Sequence, residues 1–194
     1  AFSQDGGLLA AGGYDRTVHL WEMDDGRRPD YLARVPSGPD LAVFDVALSP
    51  DGDVLAGASA DRNVYLWDIS DADDPERIGS PLTGPTSWVN GVTFSPDGRT
   101  VAAGSSDGQV WLWDRATGEA GSTLPHPGPV TDVSFEPDGG ALYASAADGA
   151  VRRWQLPGPT LPGATDAVHE VAYHPNLPVV ALASGDGAVY LWDT

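Results

Sequence analysis

The sequence predicts an all-β chain made of five copies of one short antiparallel sheet, and three observations predict it. An apolar anchor followed by a tight-turn motif recurs as FSQDG from Phe2, LSPDG from Leu48, FSPDG from Phe94, FEPDG from Phe135 and YHPNL from Tyr173. A tryptophan stands 19 residues after every anchor, at Trp21, Trp67, Trp113, Trp154 and Trp192. An aspartate stands six residues before each of those tryptophans, at Asp15, Asp61, Asp107, Asp148 and Asp186. The anchors are 46, 46, 41 and 38 residues apart, so length varies only outside the fixed block.

Each part of the block has a physical reading. Valine pairs precede the last four anchors: Val43 and Val46, Val89 and Val92, Val130 and Val133, Val168 and Val171. They predict a β-branched strand that ends at the anchor. The Pro-Asp-Gly that follows suits a tight turn, because proline presets φ, aspartate bonds back to the main chain and glycine takes the left-handed conformation. A second apolar strand comes next, as in VLAGAS and TVAAGS. The Asp-Gly or Asp-Arg pair then makes a hairpin turn. A third strand closes on tryptophan, as TVHLW, NVYLW, QVWLW, AVRRW and AVYLW. The Pro/Gly-rich polar segments beyond it suit a short outer edge strand, where proline and charge discourage aggregation.

Each unit is thus a four-stranded antiparallel meander of about 40 residues, which cannot bury both of its faces alone. Stacking such sheets face to face around an axis solves the problem, and a β-propeller is the usual closed arrangement. No 3.6-residue apolar period argues for a helical solenoid. The expected organisation is one propeller region over 1–194, with repeats at approximately 1–22, 23–68, 69–114, 115–155 and 156–194. The first and last blades are expected to be incomplete, which suggests the C-terminal part of a longer propeller. A five-bladed ring and an open arc are the alternatives. Further blades from the same chain, or a second copy, are expected to close the ring.

Composition narrows the function. The formal charge is −18, and all ten basic residues are arginine. So acidic a surface repels phosphate backbones and anionic membranes, so neither nucleic acid nor membrane is an expected partner. The charge otherwise reads as a device for solubility, with attraction of a basic partner as the alternative. Cysteine is absent, which excludes disulfides and thiolate metal sites. No apolar run approaches the ~18 residues of a membrane helix, and the cytoplasm is the default expectation.

These phased residues resemble the WD-repeat β-propeller family. Trp67-Asp68, Trp113-Asp114 and Trp192-Asp193 match its naming dipeptide, and Trp21-Glu22 and Trp154-Gln155 are degenerate versions. The stretch from Trp67 to Gly108 is similar to WD-repeat regions of large actinobacterial proteins, where the propeller often follows a signalling kinase or NTPase domain. Blades of the family often carry a buried network of His, Ser/Thr, Asp and Trp. Nine residues before the anchors, where that histidine belongs, stand Pro39, Pro85, His126 and Ala164. Ten residues before tryptophan, where the resemblance places the Ser/Thr, stand Ala11, Gly57, Ala103, Ala144 and Leu182. The network is therefore expected to be largely missing. The aspartates still suit the turn through their own backbone. Repeat four reads as the most degenerate, with Arg152 and Arg153 expected to lay their stems over apolar surface. An anion or acidic-peptide contact is the alternative for that pair.

Catalytic signals are weak. His19, His126, His169 and His174 show no metal-ligand spacing, and no nucleophile elbow, phosphate loop or dinucleotide fingerprint appears. The acidic run from Asp71 to Glu76 lacks the spacing of a calcium loop and suits a solvated connection, as does Asp24-Asp25. No cofactor, metal ligand or catalytic residue is expected. The resemblance implies protein binding on the face built by loops before first strands and by turns between second and third strands. Residues mapped there are Phe44, Trp88, Asn90, Thr131 and His169 from the loops, and Tyr14, Arg16, Arg62 and Ser106 from the turns. Aromatics and arginine dominate interface energetics, and Trp88 is the foremost candidate, with packing between blades as its alternative. Trp111, inside a strand, suits the core. The expected function is a protein–protein scaffold or sensor module of a larger bacterial signalling protein. The alternatives are a lactonase-like propeller hydrolase and purely architectural blades.

Overall fold

The computed structural model describes residues 1–24, 28–36, 38–156, 168–173 and 179–193, and among these the chain is all-β, with no helix. His174 and Asp25 lie outside the described residues, as do the side chains of His169 and Trp192. The chain divides into two compact units, 1–156 and 157–194.

The first unit holds four sheets, the blades expected from the repeats. Blade one comprises β1 (Leu8–Gly12), β2 (Val18–Asp24) and β3 (Arg28–Arg34), with Phe2 bridging Leu9 where a first strand would run. Blade two is the full meander of β4 (Val43–Leu48), β5 (Val54–Ser59), β6 (Val64–Asp68) and β7 (Glu76–Arg77). Blade three repeats it with β8 (Val89–Phe94), β9 (Thr100–Ser105), β10 (Gln109–Asp114) and β11 (Leu124–Pro125). Blade four shows β12 (Val130–Phe135), β13 (Ala141–Ala146) and β14 (Val151–Gln155). The second unit is a sheet of β15 (Val168–Tyr173), β16 (Val179–Ser184) and β17 (Val189–Asp193). The outer strands β7 and β11 have only two residues each, as their weak strand signal predicts, whereas β3 runs to seven despite Pro29.

The core of the first unit lies between blades. Val18 and Leu20 of β2 cluster with Val43, Val46, Leu55 and Trp67 of blade two. Val64 and Leu66 of β6 cluster with Val89, Val92, Phe94 and Trp113 of blade three. Val110 of β10 does the same with Val130, Val133 and Leu142 of blade four. Alternate residues of β2, β6 and β10 thus point onto the next blade, and in blades two and three the tryptophan packs in the same cluster. Burying each such aliphatic side chain contributes roughly 1.5–3 kcal/mol. The innermost strands β4, β8 and β12 lie successively side by side.

Candidate functional site

The candidate face is built from the hairpin turns and the loops before the innermost strands. In all five turns the aspartate Oδ1 accepts from the backbone N–H two residues on, at 3.0–3.2 Å: Thr17, Asn63, Gln109, Ala150 and Ala188. The intervening residue takes a left-handed φ. It is Gly108, Gly149 and Gly187 in the last three repeats, but Arg16 (φ 71°) and Arg62 (φ 78°) in the first two. A non-glycine residue there costs of order 1 kcal/mol or more.

A second bond holds the same carboxylates, and sequence reasoning missed it. The residue two before each tryptophan donates to the aspartate Oδ2 from Tyr65, Trp111, Arg152 and Tyr190, at 2.7–3.3 Å. In blade one, His19 lies 3.0 Å from the Thr17 hydroxyl, which donates to Asp15 at 2.6 Å. Burial, and then the Asp61 charge, raises the Tyr65 phenol to about 12. The Thr17 hydroxyl and its backbone amide hold Asp15 below the ordinary carboxylate range. In blades two and three Oδ2 also accepts the backbone N–H of Asp40 and Thr86, both at 2.8 Å, which ties the preceding loop to the turn.

The family-like network is therefore replaced rather than lost, and three expectations change. The hydroxyl stands eight residues before tryptophan, not ten: the buried Ser59 and Ser105 accept from the Asp61 and Asp107 N–H groups at 3.2 Å. Where proline occupies the histidine position, the indole N–H donates to a loop carbonyl instead, Trp67 to Pro36 and Trp113 to Thr83. Among the described residues, histidine serves in blade four alone, with Trp154 Nε1 at 3.4 Å from His126 Nε2. The arginines of repeat four do not simply lie over apolar surface with free heads. Arg152 pairs with Asp148 at 2.7 Å, and Arg153 grips Glu136 through two contacts of 2.7 and 2.8 Å. Arg152 thus fills the donor position that Tyr65 fills in blade two.

The innermost strands carry a shared irregularity. Each of β4, β8, β12 and β15 has a bulge at the same place, and the extra residues are Phe44, Asn90, Thr131 and His169. A bulge bends the strand and re-aims a side chain. Phe44 meets Tyr14 of the first turn edge-on at 5.8 Å and Trp88 at 5.9 Å. The three rings form one row across blades one to three, with Tyr14 85% and Trp88 56% exposed. Trp88 is therefore surface rather than inter-blade core. Trp111 is half-buried and stacks on Trp113.

The polar candidates behave differently. Asn90 donates to Ser106 and to the Val130 carbonyl, joining blade three to blade four, and Thr131 bonds Ser145. Two open grooves lie beside the hairpin turns of blades one and two, and Trp88 lines the first. One, of about 590 Å³, is lined by Leu41, Arg62 and Trp88 among others, and the second, of about 320 Å³, by Arg16 and Arg34. Asp40 lines both, so they adjoin. His169 belongs to the other unit and is not placed relative to this row. Beneath the bulge, Asp45 accepts the Val92 N–H from blade three at 2.9 Å, and burial raises its carboxyl. At the opposite end of the blades, the run from Asp71 folds into a turn, with the Asp73 and Asp74 amides donating back to Asp71. Among the described residues no group of three or more His, Asp or Glu is placed to hold a metal ion, and no helix is long and apolar enough to cross a membrane.

A family model described as WD domain, G-beta repeat matches residues 1–22, 32–68, 76–114, 118–155 and 157–193. Its first four matches end at the same residues as the first four repeats read from spacing. No curated protein matches the chain significantly.

Proposed function

The chain belongs to the WD-repeat family, whose repeats generally mediate protein–protein interaction, and on that footing we propose that it holds a protein or peptide partner on the face carrying Tyr14, Phe44 and Trp88. The observation that carries the reading is the aromatic row. Phe44, partly buried, is touched by Tyr14 on one side and Trp88 on the other, and those two rings are largely in water; such a patch on a folded surface marks an interaction site. Asn90, Ser106 and Thr131 continue the face as a hydrogen-bonded rim, and His169 occupies the equivalent bulge in the fifth repeat. In this reading the five repeats act as one propeller region and the chain is a scaffold or sensor module rather than an enzyme. It serves a larger bacterial signalling protein in the cytoplasm. The acidic surface disfavours nucleic acid and anionic membranes as partners. Further blades, from the same chain or a second copy, complete the ring.

Affinity capture with the wild type and the Phe44→Ala, Trp88→Ala double variant tests this. Captured partners should disappear in the variant while its circular dichroism and melting temperature stay near wild type. Retained capture on an intact fold would instead support purely architectural blades.

A further inference from the structure

The aromatic row leaves two neighbouring side chains unexplained. Arg16 and Arg62 occupy the turn position that holds glycine in the other three repeats, and both sit at left-handed φ. Neither is needed for the turn, because the aspartate and its acceptor bonds are the same in the glycine versions. Neither guanidinium has an ion pair or hydrogen bond among the described residues, in a chain with 28 acidic residues against ten arginines. Arg115, Arg152 and Arg153 hold carboxylates of this chain, whereas Arg28, Arg34 and Arg99 have no ion pair among the described residues; what sets Arg16 and Arg62 apart from those is the left-handed turn position they share. The carboxylates nearest in sequence, Asp15 and Asp61, are engaged by their own turns. A strained, unpaired arginine repeated at one surface position is a feature that folding does not require.

Resting on the docking reading above, we propose that Arg16 and Arg62 receive the carboxylates of an acidic, aliphatic peptide segment whose apolar side chains lie on the Tyr14–Phe44–Trp88 row. The two unengaged guanidinium groups, with Arg34 beside Arg16, carry the choice of occupant; of the carboxylates lining the grooves, Asp15 and Asp61 are engaged in their own turns and Asp40 lies where the grooves meet. A guanidinium presents a planar fork of donors that matches a carboxylate in two parallel bonds. Each arginine lines its own groove, and the two grooves adjoin at Asp40, so a single extended segment can meet both. Leu41, half exposed beside Arg62, adds apolar surface between the charged points.

Fluorescence anisotropy on the full chain tests the proposal with labelled peptides of about twelve residues. The probes repeat Glu-Leu-Gly-Ser, Lys-Leu-Gly-Ser, Gln-Leu-Gly-Ser or phosphoserine-Leu-Gly-Ser. The glutamate probe should bind tightest. Arg16→Gly and Arg62→Gly should each weaken it about tenfold, the usual worth of a charge-assisted hydrogen bond. Their melting temperatures should hold or rise, since glycine removes the left-handed strain. Arg62→Lys should recover part of the loss. Preference for the lysine or phosphoserine probe overturns the proposal. So does a fall in melting temperature in the glycine variants, which would make the arginines structural. Binding that is lost with Trp88→Ala but untouched by Arg16→Gly and Arg62→Gly overturns the arginine assignment and leaves the docking face standing. No binding of any probe overturns both.

Discussion

Blades two and four share one repeat phase and are held together by different means. In blade two the third strand reads Val-Tyr-Leu-Trp and its four side chains are buried, with Trp67 fully enclosed and its indole N–H on a loop carbonyl. In blade four the same positions read Val-Arg-Arg-Trp. Val151 is exposed, both arginines form ion pairs at the surface, and Trp154 is only half-buried beside His126. The turn aspartate is satisfied in both, by a phenol in one and a guanidinium in the other. The repeat thus conserves a hydrogen-bond geometry and a turn, while apolar burial varies from blade to blade. Blade two should depend on packing, and blade four on charge.

Truncating the tryptophans breaks this comparison most directly. Trp67→Ala should destabilise the fold by about 3–5 kcal/mol, the usual cost of emptying a large aromatic site. Trp154→Ala should cost roughly half as much, because less of its surface leaves water. Denaturant unfolding of the two variants measures both, and equal losses would show that blade four is packed as tightly as blade two.

A smaller effect comes from the residue ten before the tryptophan. In blade two it is Gly57, where a Cβ would lie 2.9 Å from Trp67 Cζ3. Trp67 is enclosed and cannot swing away, so Gly57→Ala should cost about 1–3 kcal/mol through overpacking. Blade four already carries a buried Ala144 there. Ala144→Gly should cost only about 0.5–1 kcal/mol, from backbone entropy. A Gly57→Ala variant as stable as wild type would mean that the Trp67 ring has room the packing denies it.

The difference between these blades also marks what the sequence could tell. The turns and the tryptophan phase were legible, because Asp, Gly and Pro act through their own backbone within a few residues. The donor two before tryptophan was not, because five repeats fill it with His19, Tyr65, Trp111, Arg152 and Tyr190. A search by residue type sees degeneracy there, whereas a search for any hydrogen-bond donor would have found it. The hydroxyl stands at Ser59 and Ser105, two residues nearer the turn than the position ten before tryptophan, because there it can accept the turn aspartate's own N–H. The bulges at Phe44, Asn90, Thr131 and His169 have no residue signature, because a bulge is a property of strand pairing. The individual candidates were mapped to one face from loop positions. That Tyr14, Phe44 and Trp88 form one row was illegible, as they come from a turn, a bulge and a loop and share no phase.

The smallest effects have opposite signs in the two blades. Burial is the main cause that raises Asp45 in blade two above its ordinary value, against the opposing Val92 and Val46 amides, and Asp132 pushes it further. A carboxyl whose folded value is raised contributes most below its unfolded pKa, and that contribution is lost as pH rises through the folded value. Asp45→Asn keeps an acceptor for Val92 and removes the charge, so it should stabilise near neutral pH and change nothing in acid. In blade four, Arg153 and then Tyr143 hold Glu136 low, and Arg152 holds Asp148 low. A depressed carboxyl contributes above its unfolded pKa, and the contribution is lost as pH falls through the folded value. Glu136→Gln should therefore destabilise near neutral pH and be silent in acid. Its effect should be the smaller of the two and fade with added salt, because an exposed pair is screened and a half-buried charge is not. Unfolding free energies of both variants, followed from about pH 3 to 7 across the ordinary carboxylate range, should diverge in opposite directions from the wild type. Curves that move together would mean that the two blades are not stabilised by different means.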